Sequence, residues 1–368
     1  MRTITVLPGD GIGPEVTASA ERVLRAVFEQ TGEQVQFTER KIGGAAIDAT
    51  GSPLPQETID QCQASDAILL GAVGGPKWNA QSMTVRPEQG LLGIRKAMGL
   101  FANLRPVESF SALIDSSPLK REFVESVNFV IVRELTGGLY FGTPSKRFGA
   151  GDKQVVDTLA YSTDEIERVV EKAFQLAMKR KKKLTSIDKA NVLESSRMWR
   201  EIVNQTADRY PEVTVSHQLV DSAAMQLITN PAQFDVLVTE NMFGDILSDE
   251  ASVLTGSLGM MPSASLRADK VGLYEPVHGS APDIAGQGKA NPLAAILSAA
   301  LLLRYSFDAD AQAAWIEHAV REVLDRGYHT GDLSVSNPNG RRVCTSEMTD
   351  HVIELIHKNS AVSGTSEN

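Results

Sequence analysis

A chain of 368 residues is too long for one compact core and predicts two domains of roughly 100–200 residues each. With 42% apolar and 22% charged residues it has the make-up of a globular protein, and its net charge of −10 argues against nucleic acid as a partner, because phosphate backbones select basic surfaces. No run approaches the ~18 uninterrupted apolar residues of a membrane span, and strand-like residues follow Met1 almost at once, leaving no room for a signal peptide, so a cytoplasmic protein is expected.

In chain order, short β-rich runs alternate with amphipathic stretches. "TITVL" precedes a helical pattern from Pro14 to Gln30, "AILLGA" precedes a loop, and "VNFVIVREL" stands alone. Ser162 opens a stretch with acids at its start and "KRKKK", Lys179 to Lys183, at its end; the run reads as a solvated helix terminus complementing the macrodipole. "KLTSID" precedes Glu194 to Tyr210, "VTVSHQLVD" precedes Ala223 to Ile228, and "FDVLVTE" precedes Asp245 to Leu254. Such alternation predicts an α/β architecture with much parallel sheet. The polar end from Asn359 to Asn368 is expected to fray, and Cys62 and Cys344 lack disulfide-framework or zinc spacing.

The opening "LPGDGIGPE" looks like a phosphate cradle and fails as one. A G-x-G-x-x-G fingerprint needs glycine or alanine where this chain has Pro14, so a non-Rossmann fold is expected, with Gly13 capping a helix that Pro14 begins. "FGDILSDEAS" puts Asp245 and Asp249 four apart on one helix face. Alone, such a pair is more often a solvated face; a divalent cation such as Mg²⁺ or Mn²⁺ would turn its repulsion into attraction, with Asp221, at the end of the "HQLVD" strand, as a third oxygen ligand. Arg95, Arg105 and Arg133 supply forks for carboxylates, although each alone also fits a surface ion pair. Lys189 and Tyr140 lie in loops after strands, where a lysine near cations and a tyrosine suit proton transfer; in an open sheet such groups converge at the strands' carboxyl ends. Glu88, Leu91, Leu92 and Arg95 fall at i, i+3, i+4 and i+7, so the two leucines are either core or share a ligand-facing side with Arg95.

With "GDGIGPE", "NLRP", "RELTGGLYFG", "DKANVL", "GDILSDEAS" and "HGSAPDIAG" in one order, the chain resembles the metal-dependent β-decarboxylating dehydrogenases of 2-hydroxy acids, the isocitrate/isopropylmalate dehydrogenase family, and most of all its isopropylmalate branch. The likeness runs from about Arg2 to His357. It implies a two-domain, non-Rossmann α/β fold, with one domain from residues 1–100 and 256–368 and a second from 101–255 that carries the metal site and the contacts of a homodimer. It also implies NAD-dependent oxidation and decarboxylation of 3-isopropylmalate, yielding 4-methyl-2-oxopentanoate and CO₂ in leucine biosynthesis.

By matching motif, Arg95, Arg105, Arg133 and Asp221 would bind substrate, with Leu91 and Leu92 against its isopropyl group. Asp221, Asp245 and Asp249 would hold the metal, and Lys189 and Tyr140 would be catalytic. Asp221 and Lys189 are expected to arrive from the partner subunit. NAD is expected between Gly75 to Glu88 and Gly279 to Asn291, at Gly75, Glu88, His278, Gly279, Ser280, Ala281, Pro282, Asp283, Ile284 and Asn291, and at Asp332. The carboxylate of Asp283 suits a ribose with both hydroxyls free and repels a 2′-phosphate, favouring NAD over NADP. Other readings within the family are isocitrate, homoisocitrate, tartrate or D-malate as substrate. A silent regulatory subunit is disfavoured by the presence of Lys189, Tyr140 and the three aspartates, and a phosphoryl-transfer enzyme by the lack of a G-x-x-x-x-G-K-[ST] loop.

Overall fold

The computed structural model describes residues 1–80, 85–335, 337 and 339–363, with backbone alone for 359–363. Residues 81–84, inside the stretch expected to meet the cofactor, and 364–368 of the expected frayed end lie outside the described residues.

In chain order the elements are β1 (Arg2–Gly9), α1 (Gly13–Thr31), β2 (Val35–Glu39), α2 (Gly44–Thr50), α3 (Gln56–Gln63), β3 (Ala67–Ala72), α4 (Pro87–Ala97), β4 (Ala102–Glu108), α5 (Arg121–Val124) and β5 (Asn128–Glu134). There follow β6 (Lys146–Phe148), β7 (Gln154–Val156), α6 (Thr163–Met178), β8 (Lys183–Asp188), α7 (Glu194–Ala207), β9 (Thr214–Leu219), α8 (Val220–Thr229), β10 (Val236–Thr239) and α9 (Asn241–Thr255). The chain closes with β11 (Pro262–Leu266), β12 (Gly272–Pro276), α10 (Leu293–Ser306), α11 (Asp310–Asp325), β13 (Tyr328–His329), β14 (Arg341–Arg342) and α12 (Thr345–Ser363). Among the described residues no helix is long and apolar enough to cross a membrane.

Ten strands form one sheet in the order β2-β1-β3-β12-β11-β4-β5-β10-β8-β9. Its wings are parallel, β2 to β12 on one side and β5 to β9 on the other. Between them β11 runs antiparallel to both β12 and β4, and β4 antiparallel to β5. The two wings therefore point in opposite directions.

Side chains alternate across the strands with period two, and both faces are covered. On one face, Ile4, Leu69, Val130 and Val238 join the large core under α1, α6, α7, α10, α11 and α12. On the other, Leu7, Ile68 and Leu70 pack with Ile94 of α4, while Phe129, Ile131 and Leu237 pack with Leu247 of α9. That second face thus carries two separate cores, and the boundary between them becomes a cavity.

Four expectations need correction. "KRKKK" is not the end of a helix: α6 stops at Met178, Lys179 caps it, and the run turns into β8, with Arg180 bound to the buried Asp235. Asp221 is not at a strand end, because β9 stops at Leu219 and Asp221 sits in the first turn of α8, where an acid suits the helix dipole. Helix α1 is preceded by Ile12 rather than capped by Gly13, and α12 continues to Ser363 where fraying from Asn359 was expected.

Candidate active site

A cavity of about 460 Å³ opens between α4 and α9 over β4, β5, β11 and β12. The groups lining it meet on one face of the sheet's middle strands; Tyr140 and Lys189 follow the carboxyl ends of β5 and β8, and of the two only Tyr140 lines the cavity. Arg95 comes from α4, Arg105 from β4 and Arg133 from β5, and all three are buried. Glu88, Leu91 and Leu92 stand on the same side of α4 as Arg95 and line the same space.

Three buried guanidiniums this close repel one another. Burial first, then the charges of Arg105 and Arg95, push Arg133 down to about 10, with Asp245 opposing. Two buried or half-buried carboxylates relieve the strain. Arg95 Nη2 donates to Glu275 Oε1 at 2.7 Å, and Arg133 Nη1 donates to Asp245 Oδ1. Arg133 also donates to Asn241 Oδ1 through Nε at 3.0 Å and Nη2 at 2.8 Å, and Asn241 Nδ2 donates to the Gly137 carbonyl at 3.1 Å. One amide thus fixes both the arginine and the start of the loop that carries Tyr140.

Arg105 changes the meaning of the aspartate pair. Its Nη2 lies 3.4 Å from Asp245 Oδ1 and its Nη1 3.5 Å from Asp249 Oδ1, while Nη1 also donates to Ser248 and Nε to Asn103. The two acids on α9 are bridged by a cation rather than simply opposed. Burial raises the Asp245 carboxyl, but Arg133, Arg105 and the Tyr140 hydrogen bond together leave it below the ordinary aspartate value. Asp249 goes the other way, raised by burial and by Asp245, with Arg105 opposing too weakly.

Tyr140 stands in a single 3₁₀ turn, Gly138–Tyr140, after β5. That turn needs glycine: Gly138 has φ +76°, and a Cβ there would overlap the Tyr161 hydroxyl. The Tyr140 hydroxyl donates to Asp245 Oδ2 at 2.9 Å, and burial together with Asp245 pushes the phenol up to about 12. It therefore keeps its proton at neutral pH.

Lys189 and Asp221 are elsewhere. Lys189 Nζ lies 2.8 Å from Asp221 Oδ1, and neither residue lines the cavity. Asp249 is not among the lining residues either. Among the described residues, no group of three acids, histidines or cysteines within the chain is placed to hold a metal ion.

The glycine loop after β1 braces this region. Gly11, at φ +58°, lies so close to the Ser280 carbonyl that a Cβ would overlap it, and Ile12 N–H donates to that carbonyl at 2.8 Å. Glu15 accepts from the Gly286 N–H. Asp10 is buried and accepts from the N–H groups of Gly44, Ala45 and Gly74 at 2.8, 2.7 and 2.8 Å, tying three segments together.

Of the expected cofactor residues, Glu88, His278 and Gly279 line the cavity. His278 Nδ1 donates to the Gly279 carbonyl at 2.9 Å, its Nε2 is buried without a partner, and burial holds its pKa below the usual histidine value. Asp283 and Pro282 are exposed, while Ile284 and Ala281 pack on the main core and Ser280 is buried. Gly75 precedes the short turn Pro76–Trp78. Asn291 and Asp332 do not line the cavity: Asn291 Nδ2 donates to Asp332 Oδ2 at 3.0 Å, and the same oxygen accepts from Ser257 at 2.7 Å. Glu275, Asn241, Ser248 and Asp10 belong to the constellation and carry no local sequence signal beyond Asp10's place in the glycine loop.

The chain matches the isocitrate/isopropylmalate dehydrogenase family over residues 3–352. It is 66% identical over 358 residues to the 3-isopropylmalate dehydrogenase of Heyndrickxia coagulans, covering 97% of each chain, and 57% identical over 364 residues to that of Bacillus subtilis (strain 168), covering 98% and 99%. Among solved structures it superposes on isocitrate dehydrogenase from Methylococcus capsulatus with TM-score 0.84 at 35% identity, covering 97% of this chain and 99% of that one. It superposes on the apo form of a β-decarboxylating dehydrogenase from Thermococcus kodakarensis with TM-score 0.80 at 35% identity over the whole of both chains. The chain therefore belongs to the isocitrate/isopropylmalate dehydrogenase family.

Proposed function

We propose that this protein is an enzyme that oxidises and decarboxylates 3-isopropylmalate with NAD, giving 4-methyl-2-oxopentanoate and CO₂, the step of leucine biosynthesis for which its 57–66% identical relatives are named. The observation that carries the choice of substrate is that Leu91 and Leu92 line the same cavity as the three arginines. Two carboxylates of a malate find cations there, and an isopropyl group finds an apolar wall. Isocitrate would bring a third carboxylate against the leucines, where an unpaired charge is costly to desolvate.

Asp245 and Asp249 offer hard oxygen donors four residues apart, the kind that suits Mg²⁺ or Mn²⁺. With no third such acid beside them among the described residues, Asp221 and Lys189 complete the site from a second copy, in a homodimer. Exposed Met225 on α8 and exposed Ile246 and Val253 on α9 support an interface along those helices. The lone acceptor at His278 Nε2 and the free carboxylate of Asp283 suit the hydroxyls of NAD. The domain division that goes with this reading is 1–100 plus 256–368, on the cofactor side, against 101–255, and the enzyme works in the cytoplasm.

When bound, a divalent ion held by Asp245 and Asp249 would supply positive charge that favours loss of the hydroxyl proton, and NAD would supply an acceptor for the hydride. The arginines hold the carboxylates in the cavity. Lys189 of the second copy, entering the step as the free amine with its own proton passed to water, takes the hydroxyl proton as the alcohol is oxidised. Once the carbon–carbon bond to the departing carboxylate breaks, Tyr140, still protonated at neutral pH, gives its proton to the carbon left behind and is reprotonated from water. The test is kcat/KM for 3-isopropylmalate, D-malate and isocitrate with NAD and Mg²⁺. We expect 3-isopropylmalate to lead and isocitrate to be nearly inert; a higher value for either rival overturns the assignment.

A further inference from the structure

Directly behind the arginine cavity, on the opposite face of β4, β5 and β11, lies a second cavity of about 160 Å³ between α6 and α10. Phe110, Val130, Leu176, Met260, Leu297 and Leu301 give it an apolar lining. Its polar edge holds more donors than acceptors. Both oxygens of Glu108 accept from Arg321, at 2.9 and 2.8 Å, and both of Glu317 accept from Arg304, at 2.6 and 3.1 Å. Arg180, by contrast, uses Nε on Asp235 at 2.8 Å and Nη2 on the Asn128 carbonyl and side chain, at 3.0 and 2.6 Å, and leaves Nη1 unused. The Tyr305 hydroxyl has no hydrogen-bond partner among the described residues. Arg304 and Arg180 lie near enough to it to oppose the rise in pKa that burial causes.

We propose that this back cavity binds a small aliphatic monocarboxylate. The acids at the rim are already taken, and Arg180 Nη1 and the Tyr305 hydroxyl make no bond within the described residues, so a carboxylate can meet a guanidinium and a hydroxyl at once. A cavity of close to this volume has room for a molecule of about six carbons. The inference concerns a site separated from the arginine cavity by the thickness of the sheet, and it does not rest on the substrate assigned above.

The test is calorimetric titration of the whole protein with 4-methylpentanoate, beside 4-methylpentan-1-ol, which keeps the body and lacks the charge. Saturable binding of the acid is expected, with the alcohol clearly weaker. Tyr305→Phe removes only the hydroxyl and should weaken the acid about ten-fold, the usual scale for a hydrogen bond to a charged group. Leu301→Phe, which fills the cavity, should abolish binding. Should that variant misfold, Tyr305→Phe decides alone. Absence of saturable binding, or equal affinity in the unmodified protein and Tyr305→Phe, overturns the proposal; the latter would put the acid on the arginines of the front cavity.

Discussion

The Tyr140 hydroxyl and the Asp245 carboxylate are hydrogen-bonded at 2.9 Å, with the phenol as donor. An acid already paired with Arg133 thus holds the proposed proton donor by the oxygen that would release the proton. Removing that oxygen leaves the ring, and its position 5.8 Å from the Arg133 guanidinium, largely as it was. Tyr140→Phe is expected to cut turnover by ~10²-fold or more, the ordinary scale for a positioned acid, with NAD affinity and melting temperature nearly unchanged. Turnover within a factor of a few of the parent would take Tyr140 out of the mechanism.

Asp245 and Asp249 differ in what they support, although they share a helix face. Asp245 pairs with Arg133 and Arg105, whose side chains are 3% and 8% exposed, whereas Asp249 is 63% exposed and its contact with Arg105 is long. Asp245→Asn leaves buried guanidiniums short of counter-charge and should cost on the order of 2 kcal/mol, less than a fully buried pair because Asp245 is partly open to water. Asp249→Asn should be nearly neutral for folding. Both should weaken Mg²⁺ or Mn²⁺ binding by removing an anionic ligand. Denaturant midpoints and metal titrations of the two variants separate these effects; equal stability losses would contradict the asymmetry, and unchanged metal affinity would remove the site.

The parts of the site visible in the sequence were those set by local periodicity. Asp245 with Asp249, and Leu91 and Leu92 with Arg95, follow from the helical repeat, and Arg133 announces itself as a charge ending an apolar strand. What was hidden depends on distant partners: Glu275 meets Arg95 across 180 residues and Asn241 meets Arg133 across 108. The elements that went unread have the same cause. Helix α10, "LAAILSAALLLRYS", is buried nearly all round and shows no apolar stripe. Strands β11 and β12, "PSASL" and "GLYEP", are buried yet rich in small and polar residues, because Ser263 and Glu275 floor the cavity while Ala264, Leu266 and Tyr274 join the main core. Their antiparallel place at the sheet's centre follows from pairing across the whole chain.

The Lys189–Asp221 pair, lying off the cavity of its own chain, makes the proposed composite site testable without seeing the dimer. Lys189→Ala and Tyr140→Phe should each be nearly inactive alone. Unfolded together and refolded, random pairing gives about half mixed dimers, and each mixed dimer holds one site with both residues intact, so about a quarter of the parent activity should return. Recovery no greater than the sum of the separate variants would show that both residues serve the same chain.

Stability in acid depends on the His278 ring. Its Nδ1 donates to the Gly279 carbonyl while Nε2 is buried without a partner. Burial disfavours the imidazolium, and the neighbouring carbonyls, Asp332 and Glu275 oppose this without reversing it, so the folded-state pKa lies below the ordinary value of 6.5. His217 is lowered as well, by burial and by Arg200, with Asp188 opposing. The sign follows from proton binding: below about pH 6.5 the unfolded chain takes up protons that these folded histidines refuse, so acid favours unfolding. The stability is fully present above pH 6.5 and is lost as pH falls from there towards the lowered folded values. Ordinary carboxylates add their own acid dependence only at lower pH, which makes the difference between parent and variant the useful quantity. His278→Gln should flatten the fall in unfolding free energy between about pH 7 and 5.5, and His217→Gln should do the same independently. Urea denaturation of both variants across that range provides the slopes, and a His278→Gln slope equal to the parent's would mean that the ring takes up its proton as readily folded as unfolded.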